Sequence, residues 1–588
     1  MVTVRSEKGL KVFSETNIEF LCETKVLEER IREFTITLKW NIEDVKKAKN
    51  DVVEIRFIAE DINSQYVWTP TCGAKRFLDV EWRTKNPVMM TKSAPVACVF
   101  NDDEMSTLTI ASSETKKVTS LEAGVDERSS SIFAKIKIGL LQYTNKNSLT
   151  FKVLFDEKSE PYYKALDRVR AWWEKTLDLT PAYVPDSAKN PLYSTWYNFH
   201  QSINDKDIEN ELMLAKDIGM KAVITDDGWH TEKIGEGYAY CGDWEVVETK
   251  FPDMAQHVKN VHDMGLKYML WYSIPFVGEK SKAWDRFKDK TLYKIGRLSA
   301  AILDPRYPDV REYLISIYEN ALKKYDLDGF KLDFIDRFLI LDENDNKITD
   351  EMDYECVQDA ADALMVEVSK RLKAIKKNIL IEFRQSYIGP DMRKYANMFR
   401  VNDCPNDYVS NRIGICDLRL LSGNTAVHSD MLMWNKNESD EVCARQLINA
   451  LFGAIQVSVK IKDIRPSHLK VLKFYLDFAL QNKDVLLNSS FVPCEPQNLY
   501  PVVKAFDDKT EIIAVYAKNK IFEISDSKIT KIINGSCEDE IYIKSNCERK
   551  AKIAVKNCFG ENVREEEITL MYGINTVKIP LSGVCEII

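Results

Sequence analysis

The chain has 588 residues, more than one hydrophobic core can serve, and its 45% hydrophobic and 29% charged content excludes the disordered and fibrous classes. A net charge of −9 without any Lys/Arg-rich run argues against nucleic acid or an anionic membrane as a partner. No apolar run approaches membrane-spanning length, the N-terminal stretch lacks a secretory h-region, and thirteen cysteines without a CxxC pair point to free thiols in a reducing cytoplasm.

Residues 1–160 read as β structure. Alternating and β-branched stretches recur at Thr35–Trp40, Val52–Ala59, Thr107–Ser112, Ser131–Ile138 and Leu149–Phe155, which predicts a β-sandwich. Apolar spacings of three and four over 161–178 then predict a helix, and Pro181 and Pro185, with Pro191 just beyond, mark a connecting segment, 161–189. The Trp172-Trp173 pair is expected to pack that helix on a β domain, and Trp68, in the sandwich loop Tyr66–Pro70, is a candidate to cover the mouth of the domain that follows.

From 190 to 488 short apolar stretches alternate with helical ones. The predicted strands are Tyr193–Phe199, Lys221–Thr225, Lys267–Ser273, Gly329–Phe334, Ile379–Phe383, Met398–Val401, Thr425–His428 and Ala454–Val459. The predicted helices are Ile208–Ile218, Met254–Met264, Pro308–Tyr325, Glu355–Ile375 and Asp440–Ala450. Eight strand–helix units of this size predict a central (βα)8 barrel, with its weakest unit between the fifth and sixth strands. Alternation returns over 489–588 and predicts a small C-terminal β-sandwich.

The polar residues that stand out fall at the ends of the predicted barrel strands, where such barrels gather their chemistry. They are Trp196, Asp226, Asp227, Trp271, Lys331, Asp333, Arg400 and Asp403, with His428 and Asp430 after the seventh strand. Two carboxylates at two strand ends, Asp333 and Asp403, are the minimum equipment for cleaving a glycosidic bond. Paired Asp residues suit vicinal hydroxyls, and Trp faces suit the apolar face of a sugar ring. Capping or ion pairing is the alternative reading of each acid. Six histidines in no metal-binding spacing, and the lack of any phosphate-cradling or nucleophile-elbow motif, leave no metal or organic cofactor expected.

Five motifs occur in order: Asp-Asp-Gly-Trp (226–229), Gly-Asp-Trp-Glu (242–245) with Lys250-Phe-Pro, Gly265 to Trp271, Gly296-Arg297 before Ile302-Leu-Asp-Pro305, and Lys331-Leu-Asp333. Over about 190–435 the series resembles glycoside hydrolase family 36 of the α-galactosidase clan. The resemblance implies Asp333 as catalytic nucleophile and Asp403 as acid/base. It implies Asp226 and Asp227 as the pair holding the galactose 4- and 6-hydroxyls, Lys331 and Arg297 as sugar-binding residues, and Trp196 and Trp271 as subsite walls. The sequence departs from the family in two places. Glu382-Phe-Arg-Gln-Ser-Tyr-Ile-Gly-Pro390 replaces a Cys-Ser-Gly-Gly-Gly-Arg loop, leaving Arg384 or Tyr387 to contact the 2-hydroxyl or a different substituent there, with an ion pair of Arg384 to Glu382 or Asp403 as the alternative. Lys331-Leu-Asp-Phe-Ile-Asp-Arg337 carries its arginine one place later than the usual Lys-Trp-Asp-Met-Asn-Arg.

The function expected from this resemblance is a retaining exo-α-galactosidase acting on carbohydrate through a covalent intermediate. Its two carboxyl groups would stand roughly 5–6 Å apart. Asp403 would carry a raised pKa and Asp333 would be ionised. A raffinose- or stachyose-synthase-like transglycosylase, an α-N-acetylgalactosaminidase and a non-catalytic sugar-binding barrel are the alternatives. Oligomeric state is not legible in the sequence.

Overall fold

The computed structural model describes residues 2–7, 10–48, 51–60, 62–143, 146–341 and 346–588. Its centre is one eight-stranded parallel sheet. In chain order the strands are β1 Leu192–Ser194, β2 Ala222–Thr225, β3 Lys267–Ser273, β4 Gly329–Asp333, β5 Leu380–Arg384, β6 Met398–Arg400, β7 Ala426–His428 and β8 Gln456–Val457. β8 pairs back onto β1, and β7 reaches that end through the parallel bridge His428↔Ala454, so the sheet is a nearly closed barrel. The strands are short, apolar and buried on both faces, as parallel strands covered by helices must be.

Local chemistry sets where the covering helices begin. Asn204 caps Asp205–Asp217, Asp253 caps Met254–Asp263 and Ser439 caps Asp440–Ala450, each accepting a backbone N–H from the first turn. Proline opens Pro308–Tyr325 and Pro466–Gln481. Asp407 accepts from Ser410 N and starts Tyr408–Ser422, a helix that the apolar spacing alone did not reveal. Between β5 and β6 there is only the 3-10 turn Pro390–Lys394, consistent with the weak unit expected there. The first barrel strand is shorter than expected. It stops at Ser194, and Trp196–Phe199 winds into a helical turn closed by Phe199 N–H to Thr195 O and His200 N–H to Trp196 O. A three-stranded insert, Phe276–Gly278, Thr291–Ile295 and Ala300–Leu303, follows β3.

Two six-stranded sheets precede the barrel. Ile31–Trp40 sits between Ile18–Glu28 and Ser148–Asp156, and its alternating side chains Ile36 and Leu38 point into the sandwich core with Ile55, Ile110 and Val153. A seven-stranded and a three-stranded sheet follow the barrel, around Ile513, Ile532, Ile543 and Ile553. The helix Tyr162–Thr176 ties the parts together. Trp172 donates to Glu33, Trp173 to Ser112 O, and Tyr162 to Pro493 O. Among the described residues no helix is long and apolar enough to cross a membrane, and all thirteen cysteines carry free thiols.

Candidate active site

The barrel strands deliver the predicted acids to one end. β4 ends in Asp333, and Phe334 then turns the chain in the left-handed region at φ 65° while its N–H caps Asp333 Oδ1 at 2.8 Å. Three donors converge on that oxygen: Phe334 N, Arg384 Nε at 2.7 Å and Tyr387 Oη at 3.0 Å. Oδ2 has one longer contact, from Trp271 Nε1 at 3.2 Å. Burial works against ionisation here, but Arg384, Lys331 and Arg400 outweigh it and hold the carboxyl well below the usual carboxylate range.

Arg384 and Tyr387 are thus engaged with Asp333, and neither stands free for a sugar 2-hydroxyl. The alternative partners considered for Arg384 from sequence, Glu382 and Asp403, do not hold it either. Glu382 accepts from Gln456 Nε2, and burial pushes its carboxyl up against the pull of Arg400.

At the end of β2, Asp226 accepts from Lys331 Nζ at 2.6 Å and Asp227 from Gln201 Nε2 at 2.8 Å, with His230 Nε2 at 3.0 Å. Burial alone would lower Lys331, but Asp226, Asp333 and Glu382 reverse that and keep it charged. Both acids are 2% exposed. Neither caps a helix, since the next one takes Asp253. Gly228 makes the turn after them possible. Its φ is 117°, and a Cβ there would lie 2.6 Å from Gln201 Cα.

Asp403 differs in setting. Its side chain is 53% exposed, and Arg400 Nη2 donates to it at 2.9 Å. The raised pKa expected for it does not hold in this structure. Burial pushes the carboxyl up, but Arg400, Lys331 and Arg384 pull harder and leave it below the ordinary aspartate value. Arg400, 1% exposed, is itself fixed by Asp430, whose other oxygen accepts from Tyr197 Oη and Cys404 N. His428 and Asp430 are therefore not a pair. His428 Nε2 meets Ala188 O, and burial lowers it to about 4.

Asp403 opens on a cleft of about 730 Å³ lined also by Asp336, Arg384, Ser386 and Asn402, and by Pro70–Ala74 of the N-terminal sandwich. Trp68, considered from sequence as a cover over the barrel mouth, is buried and donates to Asp417 of Tyr408–Ser422. The segment just after it reaches the cleft instead. Trp434 is core, hydrogen-bonded to His468. Trp196 is half-buried at the mouth, edge-on to His200. Trp271 is buried, with Tyr238 stacked 6.2 Å away. Arg297 lies exposed in the turn Gly296–Leu298, with no hydrogen-bond or ion-pair partner among the described residues. Among the described residues no group of three His, Cys, Asp or Glu is arranged to hold a metal ion.

Residues 179–406 match the melibiase family model. That stretch is similar to the melibiase family. Over 156 residues the chain is 26% identical to α-galactosidase Mel36A of Lactobacillus acidophilus, and over 150 residues 30% identical to α-galactosidase 1 of Pediococcus pentosaceus. These matches cover 26% and 24% of the chain and span about a fifth of the length of the curated relatives. A variant of the family 36 α-galactosidase AgaA of Geobacillus stearothermophilus, solved in complex with raffinose, matches at TM-score 0.63 and 14% identity. That match covers 99% of this chain and 89% of the other, so the flanking β domains and the central barrel form one shared fold.

Several contacts in the site had no strong sequence signal. Gln201, Tyr197 and Gln456 lie in runs with no motif, and Asp336 follows β4 while Arg384 ends the neighbouring β5 and Asp403 follows β6. Only closure of the barrel brings them together.

Proposed function

We propose that this chain is a retaining exo-α-galactosidase, with Asp333 as nucleophile and Asp403 as acid/base. The observation that carries the reading is the asymmetry of Asp333. Oδ1 is saturated by three donors and the carboxylate is held ionised, while Oδ2 keeps only the long Trp271 contact. Oδ2 is the oxygen free to attack an anomeric carbon. Asp403, half-exposed on the cleft, delivers its proton to the leaving oxygen. It then takes a proton from the water that breaks the galactosyl–Asp333 ester and releases galactose with its α configuration.

Asp226 and Asp227, buried and fixed by Lys331, Gln201 and His230, present acceptors to the hydroxyls of one ring face. Buried carboxylates left without a matching hydroxyl are costly, which favours the axial 4-hydroxyl of galactose over an equatorial one. Relatives named α-galactosidases, and a related fold solved with raffinose, support the same substrate class. Arg297 is proposed to join the sugar site only from its exposed turn at the rim.

The test is turnover of aryl α-galactoside and α-glucoside, with Asp333→Ala as control. Hydrolysis confined to the galactoside, abolished in Asp333→Ala and rescued by azide as the β-galactosyl azide, is the expected result. Undiminished activity in Asp333→Ala would remove the nucleophile assignment.

A further inference from the structure

Asp336 lies in the 3-10 turn Ile335–Arg337 directly after β4. It lines the cleft beside Arg384, Asn402 and Asp403. Its Oδ1 is shut off from solvent and accepts no hydrogen bond. A buried acceptor without a donor is unfavourable, and such groups in folded chains call for a specific reason. Arg384, the cation that acts on it most strongly, does not supply one. Arg384 gives its Nε to Asp333 and its Nη1 to Gln385 O and Asn402 Oδ1. Burial raises the Asp336 carboxyl, Arg384 opposes the rise and Asp333 adds to it, so a donor arriving from the cleft would relieve it.

The position of the cleft says which part of a ligand brings that donor. Asp226, Asp227, Trp271 and Lys331, which face the galactosyl ring in the reading above, do not line it. Asp403, which faces the leaving oxygen, does. The cleft therefore lies on the leaving-group side. Its walls mix apolar side chains such as Val401 and Ile413 with hydroxyls of Thr71 from the N-terminal sandwich, Ser386 and Ser410. Its volume of about 730 Å³ is in the range that binds ligands of several rings.

We infer that Asp336 accepts a hydrogen bond from a hydroxyl of the leaving group, so that the enzyme prefers α-galactosides whose leaving group is itself a sugar. The inference rests on the galactosidase reading and adds to it a second, leaving-side specificity residue. The carboxylate can turn about its last torsion, a soft one, to meet the hydroxyl.

The experiment compares kcat/KM for p-nitrophenyl α-galactoside with that for α-1,6-galactosyl-glucose in the unaltered chain, Asp336→Leu and Asp336→Asn. A site built to bond a hydroxyl discriminates strongly against its loss, so in Asp336→Leu the disaccharide should lose about tenfold more than the aryl substrate. Asp336→Asn keeps a carbonyl acceptor and should lose less. On the unaltered chain, disaccharides lacking one hydroxyl of the glucose ring in turn should show the same loss at one position, a readout independent of how the variants fold. An unchanged ratio in Asp336→Leu, or equal rates for every deoxy substrate, overturns the inference while leaving the galactosidase reading intact. No turnover of either galactoside by the unaltered chain overturns both.

Discussion

At the scale of single residues, the two acids are separated by their surroundings more than by their chemistry. Asp333 is 6% exposed and hydrogen-bonded four times, while Asp403 has one strong partner and an open cleft. Both carboxyls are held low, by Arg384 foremost among the cations at Asp333 and by Arg400 at Asp403. The signs give a pH prediction. Asp333 must be ionised to attack, and its depressed pKa puts the acid limb of kcat/KM at low pH. Replacing Arg384 by Met removes the leading cation, raises that pKa and moves the acid limb to higher pH. Asp403 must be protonated to act as acid, and its depressed pKa makes kcat/KM fall already at acidic pH, below the ordinary aspartate range. A pH profile of both proteins checks this, and an acid limb unmoved in Arg384→Met would show that the ion pair does not tune the nucleophile. Expecting a raised pKa for Asp403 came from its role alone. Arg400, three residues earlier and 1% exposed, decides otherwise, and nothing in the local sequence shows that its guanidinium turns toward Asp403.

At the scale of elements, Tyr408–Ser422 is the helix that joins the site to the rest of the protein. Its Asp417 accepts from Arg76 and Trp68 of the N-terminal sandwich and from Tyr500 beyond the barrel. Arg76 and Asp417 are almost wholly buried. Leaving one partner of a buried ion pair without the other costs about 3–5 kcal/mol. Asp417→Ala should therefore lower the thermal midpoint markedly, and it should weaken binding in the cleft that Asp417 lines. Calorimetry of both proteins checks the first effect. A midpoint shift within error would mean that the three parts are held together elsewhere. Helices with a cap and a periodic face, such as Met254–Asp263 and Asp440–Ala450, were legible from the chain. Tyr408–Ser422 was not, because it is buried nearly all round and carries no clear apolar stripe.

At the scale of the whole molecule, the order of motifs was enough to announce the barrel, since strand-end acids and intervening helices are local features. The three-stranded insert after β3 was not announced, because its strands have only three to five residues. The share of the N-terminal sandwich in the cleft was expected only as a loop around Trp68, and the residues just beyond it supply the lining. Pro70–Ala74 meets Asp403 across more than three hundred residues of chain, a pairing that only the packed domains create. The expected subsite arginine, Arg297, sits exposed on that insert.

The central claim is that Asp333 forms the covalent galactosyl intermediate. The most direct measurement is mass spectrometry of proteolytic peptides after incubation with a fluorinated α-galactosyl fluoride that forms the ester quickly and hydrolyses slowly. The account predicts one galactosyl-derived label per chain, on the peptide containing Asp333. A label on another carboxylate, or turnover without any label and with inverted configuration in the first-formed sugar, would contradict it.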